Sequence, residues 1–206
     1  MKVLVACEFS GVVREAFAKR GHDAWSCDLL PSEIPGKHFQ CDIVEVLSNF
    51  IWNYNPVTGV GDAWDLMIAF PPCTYLSSSG ARWWSQRRRE QEGAIRFVQF
   101  LLGQDAIRRV ALENPIGILS TRYRKPDQII HPWMFGIGET KATCLWLRGV
   151  PPLMATLVHT GRYPRVHLEP PSNERWKNRS RTYLEIAEAM AEQWGNLTPN
   201  IENKGE

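Results

Sequence analysis

The stretch KVLVACEFSGVVREAFAKRGHDAWSCD, residues 2–28, decides the fold. It opens on the apolar, β-branched run 2–7, which is typical of a buried strand. Residues 11–20 then carry apolar side chains at the spacing of one helix face. A second short strand over 22–27 follows and closes on Asp28. A strand, a helix and a strand in this order predict the opening of a doubly wound parallel sheet.

The alternation of sheet and helix patterns continues along the chain. We predict a segment that continues the sheet pattern over 42–47, a strand over 66–70, a helix over 90–102, strands over 109–115 and 140–147, and a C-terminal helix over 181–194. The region 117–177 is otherwise predicted to be rich in loops. The expected fold class is α/β, with a single doubly wound, mostly parallel sheet and helices on both faces. We expect one domain over 1–195 and a flexible tail over 196–206.

The composition excludes several classes of protein. Of the 206 residues, 44% are hydrophobic, which suffices to fill the core of one α/β domain. No apolar run approaches the roughly 20 residues of a membrane span, and the N-terminal run is too short for a signal sequence. Five widely spaced cysteines include no Cys-x-x-Cys pair, which predicts reduced thiols without a disulfide or a metal site. We therefore expect a soluble, cytoplasmic protein.

The stretch DLMIAFPPCTYLSSSG, residues 65–80, places a cysteine at the end of a predicted strand. The apolar run 66–70 is too short for a helix, and Pro71 and Pro72 cannot donate to a sheet ladder. Cys73 is therefore predicted to lie at the edge of the sheet where open α/β sheets bind their ligands. A buried, unreactive cysteine is the alternative. The polar residues that follow favour an accessible thiol.

Other polar residues are predicted at neighbouring strand ends. Phe9, Ser10 and Gly11 form the first strand-to-helix turn, where a glycine lets a ligand approach the backbone and the helix N-terminus. Asp28 follows the second strand, at about the distance at which a carboxylate binds ribose hydroxyl groups in nucleotide-binding folds. Asp42 could accept a hydrogen bond from an adenine amino group. A purely structural role is the alternative for each, because isolated aspartates usually cap helices.

Glu113 ends another predicted strand and is followed by Asn114. Burial raises the pKa of a carboxyl group, so a buried Glu113 could hold a proton at neutral pH. It would then act as an acid beside the Cys73 nucleophile. A helix-capping or salt-bridged glutamate is the alternative.

Arginine and tryptophan are interleaved in two short stretches. These are Arg82, Trp83 and Trp84 with Arg87, Arg88 and Arg89 after the Cys73 loop, and Arg175, Trp176, Lys177, Arg179 and Arg181 further on. Arginine binds phosphates and tryptophan stacks on bases, so the pattern predicts contact with single-stranded or extruded bases. The alternative is a solvated arginine face with tryptophans that anchor the fold. The net charge of +2 does not by itself indicate a nucleic-acid-binding protein.

These residues resemble the motifs of the S-adenosylmethionine-dependent DNA (cytosine-5)-methyltransferases. From Pro72 onward, residues 70–80 are similar to the family's nucleophile motif, Phe-Pro-Cys-Gln-x-Phe-Ser-x-x-Gly. The stretch Glu113-Asn114-Pro115 resembles the family's Glu-Asn-Val motif. The turn FSGVV, residues 9–13, resembles its Phe-x-Gly-x-Gly cofactor loop, and order and spacing agree over residues 1–115.

The resemblance implies a Rossmann-like methyltransferase fold, S-adenosylmethionine as cofactor and DNA as partner. It implies that Cys73 attacks C6 of a cytosine while Glu113 protonates N3, which activates C5 toward the methyl group, and that Asn114 holds the base. The residues implied to bind the cofactor are Phe9, Ser10, Gly11, Asp28, Asp42 and Pro71. Those implied to bind the substrate are Pro72, Ser77, Arg82, Trp83, Trp84, Arg179 and Arg181.

The sequence also departs from the family's pattern. A proline is added before the motif, Thr74 replaces a glutamine and Val13 replaces a glycine. The family's Gln-x-Arg-x-Arg motif has two partial counterparts, 177–181 in spelling and 141–143 in position. The loops within 117–177 are much shorter than the family's target-recognition region, so a homodimer or an accessory protein could complete the site.

We therefore expect a small, divergent, phage-like or prokaryotic cytosine-5 DNA methyltransferase. Two alternatives stay open. One is an enzyme that modifies pyrimidines of RNA or of free nucleotides on the same scaffold. The other is a catalytically silent nucleotide-binding protein in which Cys73 is only structural.

Overall fold

The computed structural model describes residues 1–53 and 64–197, and within these residues one sheet has seven strands. The strands are β1 (Lys2–Ala6), β2 (Asp23–Asp28), β3 (His38–Gln40), β4 (Leu66–Ala69), β5 (Arg109–Pro115), β6 (Gln128–Ile130) and β7 (Thr143–Arg148). Their order across the sheet is β3-β2-β1-β4-β5-β7-β6. All neighbours pair in parallel except β7, which is antiparallel to both β5 and β6.

Helices cover both faces of this sheet. In the described part of the chain they are α1 (Val12–Ala18), α2 (Ile43–Asn53), α3 (Arg88–Leu102), α4 (Leu119–Arg122), α5 (Arg165–Leu168), α6 (Arg175–Ser180) and α7 (Leu184–Gly195), with 3-10 helices at Ser78–Gln86 and Pro132–Met134. Helices α1 and α7 pack on one face, and α2 and α3 pack on the other. The predicted α/β class, with a doubly wound and mostly parallel sheet, is confirmed.

The two faces of the sheet fill two apolar cores. Along β1, Val3 and Val5 contact the core with α1 and α7, whereas Leu4 contacts the core with α2 and α3. Successive side chains of a strand point to opposite faces, so a strand buried on both sides must be apolar throughout. This requirement is why the run 2–6 could be predicted as a central strand.

Residues 42–47 form a helix where we predicted a continuation of the sheet pattern. The short strand β3 precedes them, and α2 begins at Ile43. The Asp42 Oδ1 atom accepts a hydrogen bond from the Val44 amide at 2.9 Å, which caps the first turn. Ile43, Val46 and Leu47 are buried, which is the spacing of a helix face. An apolar run this short fits both periods, and the aspartate cap decides between them.

The region 117–177 is rich in loops, as predicted, but it also contains α4, β6, α5 and the start of α6. The first three of these elements span three or four residues each, which is too short to produce a periodic pattern. Of the predicted tail, only residues 196 and 197 lie within the described part of the chain.

The order of the strands creates a crevice between β1 and β4. The chain winds from β1 outward to β3 and then returns to β4 on the other side of β1. At such a switch point the loops after the two strands separate and leave room for a ligand at the carboxyl ends. The loops concerned are 7–11 after β1 and 70–77 after β4.

The loop that carries Cys73 is tied to the loop after β5. The Ser78 amide donates to the Ile116 carbonyl at 2.9 Å, and the Ile118 amide donates to the Leu76 carbonyl at 2.8 Å. Between them, a Cβ atom on Gly117 would lie only 1.9 Å from the Leu76 carbonyl oxygen. The two loops can therefore approach this closely only because residue 117 is glycine.

Replacing Gly117 with alanine should separate the two loops. We expect a loss of about 1–3 kcal/mol in the free energy of unfolding, which lowers Tm by about 2–4 °C for each kcal/mol in a domain of this size. The matched control is Gly93→Ala in α3, where an added Cβ would meet nothing within 4 Å. That variant should gain up to about 1 kcal/mol from helix propensity. Equal Tm values for the two variants would refute the close packing at Gly117.

Candidate active site

Cys73 lies in a tight turn directly after the doubled proline. Its carbonyl accepts hydrogen bonds from the Leu76 and Ser77 amides, both at 2.9 Å, and the residue is exposed. Partial desolvation raises the pKa of the Cys73 thiol, and the charge of Glu113 raises it further. The charges of Lys141 and Arg179 act in the opposite direction. The thiol is thus accessible and lies among two basic groups and one acidic group.

Glu113 lines a partly open pocket between the sheet and α7, whose volume of about 330 Å³ includes space that is continuous with solvent. The other lining residues are Phe70, Ile130, Pro132, Lys141, Thr143, Thr182, Tyr183, Ile186 and Met190. Burial raises the pKa of Glu113, and the Lys141 ammonium group and the Thr143 hydroxyl group only partly oppose this effect. A raised pKa favours a carboxyl group that holds its proton near neutral pH, the property that we predicted for this residue.

Asn114 is buried and makes a structural contact at the end of β4. Its exposed fraction is 0%, and it faces away from the Glu113 pocket because neighbouring residues of β5 point to opposite faces. Its Nδ2 atom donates to the Pro71 carbonyl at 3.0 Å. This bond positions the strand end that carries Cys73, while the buried Asn114 Oδ1 atom has no partner among the described residues and the predicted contact with a base stays a prediction. Pro71, which we predicted to bind the cofactor, is the buried partner of this bond.

The two partial counterparts of the arginine-rich motif meet beside the pocket. The Lys141 Nζ atom donates to the Arg179 carbonyl at 2.9 Å, and the charges of both side chains lower the pKa of Cys73. The Nε atom of Arg179 is buried and has no partner in the described part of the chain. Lys141 and Thr143 were absent from the predicted site, although their position in the chain was a signal. Arg179 was predicted to bind substrate, and the structure places it at the site.

On the side of β1, Glu8 occupies the place that we predicted for a ligand. Its Oε1 atom accepts from the Val13 amide at 2.7 Å and its Oε2 atom from the Arg14 amide at 3.2 Å, so the carboxylate caps α1. Gly11 has the left-handed φ of 73° that required a glycine, but the Arg14 guanidinium group fills the space beside its Cα atom. The Glu8 carboxylate and the Arg14 side chain thus occupy the helix N-terminus, and the predicted contact of Gly11 with a ligand stays a prediction.

Phe9 and Ser10 are buried in the same loop. The Ser10 hydroxyl group donates to Glu8 at 3.1 Å, and the Phe9 carbonyl accepts from the Glu33 amide at 2.8 Å. The Phe9 ring also contacts Trp176 of α6, with 5.8 Å between the ring centroids. Trp176 is 54% exposed. Helix α6 therefore places an aromatic side chain against the β1 loop, and part of that side chain remains in contact with solvent.

Acidic groups surround the end of β1. Asp28 at the end of β2 accepts from the Leu30 amide at 3.0 Å, and desolvation raises the pKa of its carboxyl group. Asp42 is exposed at the start of α2, where it has the capping role already described. Burial and the charges of both aspartates raise the pKa of Cys7 to about 12. Asp28 and Asp42 are thus both close enough to Cys7 for their charges to act on it.

Some of the residues predicted to bind substrate are exposed, and others contact the rest of the protein. Trp83 is 43% exposed, with the Arg82 guanidinium group 5.1 Å from its ring centroid, and Pro72 is also exposed. Trp84 packs instead against the core under α3, and the Ser77 hydroxyl group caps the 3-10 helix by accepting from the Ser79 amide at 3.3 Å. Trp84 and Ser77 therefore hold the loop in place, and their predicted contacts with substrate stay predictions.

Arg181 is also engaged within the protein. Its guanidinium group donates to both carboxylate oxygens of Glu33, at 2.6 and 2.8 Å. This bidentate pair raises the pKa of Arg181 and lowers that of Glu33, so the charge of Arg181 is neutralised locally. The pair joins the end of α6 to the loop after β2, and the predicted contact of Arg181 with substrate stays a prediction.

The described residues form neither a candidate metal site nor a helix that could span a membrane. Within residues 1–53 and 64–197, no group of three or more His, Cys, Asp and Glu side chains is arranged to hold a metal ion. Across the same residues, no helix is both long and apolar enough to cross a membrane. All five cysteines are free thiols.

The electrostatics of Cys73 can be measured by its alkylation. Iodoacetamide reacts with the thiolate, so its rate should rise with pH along a titration displaced above that of an ordinary cysteine, near 8.5. Glu113→Gln removes a charge that raises the pKa of Cys73 and should speed alkylation at pH 8. Lys141→Met should slow it. Each change should be roughly twofold to tenfold, which corresponds to at most one unit of pKa.

Peptide mass spectrometry would separate Cys73 from the other thiols, and Lys19→Met at the exposed end of α1 is the charge-matched control. A Lys141→Met rate equal to that of the control would show that Lys141 does not act on Cys73.

Comparison with known proteins gives a likeness of fold. No model of a known protein family matches the chain, and no curated protein sequence matches it. Among solved structures, the chain is similar to one from Escherichia coli that is described provisionally as a DNA modification methyltransferase encoded within a prophage. The identity is 15%, the TM-score is 0.48, and the likeness covers 76% of this chain and 51% of that one. The chain thus spans about half the length of that protein.

Proposed function

We propose that the protein transfers a methyl group from S-adenosylmethionine to C5 of cytosine in DNA, in the cytoplasm of a prokaryotic or phage-infected cell. The observation that carries this proposal is the meeting of Cys73 and Glu113 at one edge of the sheet. Cys73 lies on the loop after β4 and Glu113 on the paired strand β5, and the charge of Glu113 raises the pKa of Cys73. The resemblance of their motifs to those of the cytosine-5 methyltransferases adds the substrate class.

The chemistry of the two residues is complementary. Carbon C6 of cytosine becomes electrophilic when N3 is protonated, so an acid and a nucleophile must act together. The Cys73 thiolate forms a bond to C6 while the Glu113 carboxyl group gives its proton to N3, and the electron pair of the C5–C6 bond becomes available at C5. Lys141 and Arg179 support this step, because their charges stabilise the thiolate.

The crevice at β1 suits a cofactor without phosphate groups. Glu8 caps α1 and so removes the free amides that bind a phosphate in many nucleotide sites. Asp28 and Asp42 place acidic groups at this end of the sheet, which favours a ligand that carries positive charge. S-adenosylmethionine has that character, and when bound it supplies an electrophilic methyl group. Asp28 would hold the ribose hydroxyl groups, and Phe9 would contact the adenine ring.

The target base must leave the DNA duplex to reach Cys73. Extrusion costs on the order of a few kcal/mol, which contacts with the protein must offset. Arg82 and Trp83 are exposed on the 3-10 helix that follows Cys73, so they are placed to contact the strand from which the base leaves. The apolar side chains of the Glu113 pocket would enclose the extruded base.

The covalent step can be tested directly. An oligonucleotide duplex that contains 5-fluorocytosine, incubated with the protein and S-adenosylmethionine, should form an adduct that survives denaturation, because fluorine at C5 prevents release of the enzyme. Cys73→Ser should form none. Glu113→Gln should slow adduct formation by about 10²–10⁴-fold, the usual contribution of a general acid.

If the protein formed no adduct and transferred no methyl group to any DNA, the proposal would be refuted. Transfer of tritiated methyl groups should be compared among duplex DNA, tRNA and dCMP, since preference for either of the last two would assign the site to another pyrimidine substrate. Thermal stabilisation by S-adenosylhomocysteine without methyl transfer to any of the three would indicate a silent nucleotide-binding protein.

A further inference from the structure

Ten arginines of the described chain fall into two groups according to what lies against them. One group pairs with carboxylates, and it includes Arg14, Arg20, Arg122, Arg124, Arg148, Arg165 and Arg181. The other group lies over aromatic rings and has no carboxylate within 4.0 Å among the described residues. It comprises Arg82 over Trp83, Arg87 over Tyr75 and Arg162 over Trp133. The three arginines of the second group keep a charge that no carboxylate of the described residues neutralises.

Arg162 is the most rigidly held of the three. Its guanidinium carbon lies 4.0 Å from the centroid of the Trp133 ring, which is closer than the 5.1 Å of Arg82 and the 5.7 Å of Arg87. Its Nη1 atom donates to the carbonyls of His159 and Gly161. Stacking and hydrogen bonds together fix an exposed side chain that would otherwise sample many rotamers.

The hydrogen bonds leave one edge of the Arg162 guanidinium group unused. Both protons of Nη1 face the backbone carbonyls, while Nε and Nη2 have no partner in the described part of the chain. These two nitrogens form the fork that binds two oxygens of a phosphate or carboxylate. The nearest anionic competitor in the same segment, Glu139, is already bound by Arg165 at 2.6 Å and by the Tyr183 hydroxyl group at 2.7 Å.

The chain segments that carry this platform adjoin residues that line the Glu113 pocket. Pro132, which precedes Trp133, lines the pocket, and so does Lys141. Hydrogen bonds join the segment that carries Arg162 to Trp133, next to Pro132, and to Thr140, next to Lys141. The His159 amide donates to the Trp133 carbonyl at 2.8 Å, and the Thr140 amide donates to the Tyr163 carbonyl at 3.0 Å. The exposed Tyr163, Leu157 and Val158 lie on the same segment.

We infer that Trp133 and Arg162 form a DNA-binding platform, on which the free fork of Arg162 holds a backbone phosphate next to the nucleotide that enters the pocket. The choice of DNA rests on the proposed function. The choice of a phosphate rests on the fork alone, which is charged, exposed, rigid and unneutralised. The platform would be the counterpart of Arg82 and Trp83 on a chain segment remote from the Cys73 loop.

Equilibrium binding of a fluorescein-labelled 20-base-pair duplex, measured by anisotropy at several salt concentrations, tests this inference. Arg162→Ala should weaken binding about tenfold and reduce the slope of log K against log salt by about one, as expected for one lost phosphate contact. The affinity of Arg162→Lys should lie between those of the unchanged protein and Arg162→Ala, because lysine keeps the charge and loses the fork. Arg20→Ala removes an equal charge far from the pocket and should change affinity less than twofold.

Equal losses for Arg162→Ala and Arg20→Ala would overturn the inference, and Arg162→Lys with normal affinity would overturn the role of the fork. Tighter binding of an RNA of the same sequence, lost in Arg162→Ala, would assign the platform to RNA instead. Thermal melting shows whether each variant is folded. The binding readout does not need methyl transfer, so a protein that binds DNA through Arg162 but forms no 5-fluorocytosine adduct would refute the proposed function and leave this inference standing.

Discussion

The site depends on one buried hydrogen bond, from the Asn114 side chain to the Pro71 carbonyl. The doubled proline ends β4 because neither residue can donate to a neighbouring strand. The Pro71 carbonyl is left inside the protein and needs a donor, since an unpaired buried carbonyl would cost about 1–3 kcal/mol. Asn114 supplies that donor from the end of β5. The bond therefore fixes where the turn that carries Cys73 begins.

The same strand also presents the acid. Asn114 and Glu113 are consecutive, so the pleat of β5 sends the amide toward Pro71 and the carboxyl group into the pocket on the other face. Cys73 lies on the loop after β4, and the Asn114–Pro71 hydrogen bond ties the start of that loop to β5, the strand that carries Glu113. A site held in this way needs little reorganisation when a substrate arrives.

Local patterns in the sequence predicted the strands that form the centre of the sheet, because a strand buried on both faces must be apolar. They also predicted Cys73 and Glu113, whose positions follow from strand ends. They could not distinguish Asp42 as a helix cap from Asp42 as a ligand, because the same residue suits both. They could not show that Glu8 closes the helix N-terminus, since that depends on how the β1 loop folds back.

Contacts between remote segments were beyond the reach of the sequence. Lys141 meets Arg179 across 38 residues, and Arg162 lies over Trp133 from 29 positions away along the chain. No period or motif links such pairs, because the loops that bring them together have no regular structure. The bidentate pair of Arg181 with Glu33 is another contact of this kind. Arg181 lies within a cluster of basic residues, but its charge is used inside the protein to hold two segments together.

Some arginines pair with carboxylates and others lie over aromatic rings, and this difference explains why the net charge of +2 did not indicate a binding partner. Arginines paired with carboxylates contribute to the sum but scarcely to the field outside the molecule, because the two charges cancel at short range. Arginines that rest on aromatic rings contribute fully, since the ring holds the guanidinium group without neutralising it. Arg82 and Arg87 follow Cys73, and the segment that carries Arg162 adjoins residues that line the Glu113 pocket. A nearly neutral protein can therefore present a localised positive surface at the one edge of the sheet where its thiol and its acid meet.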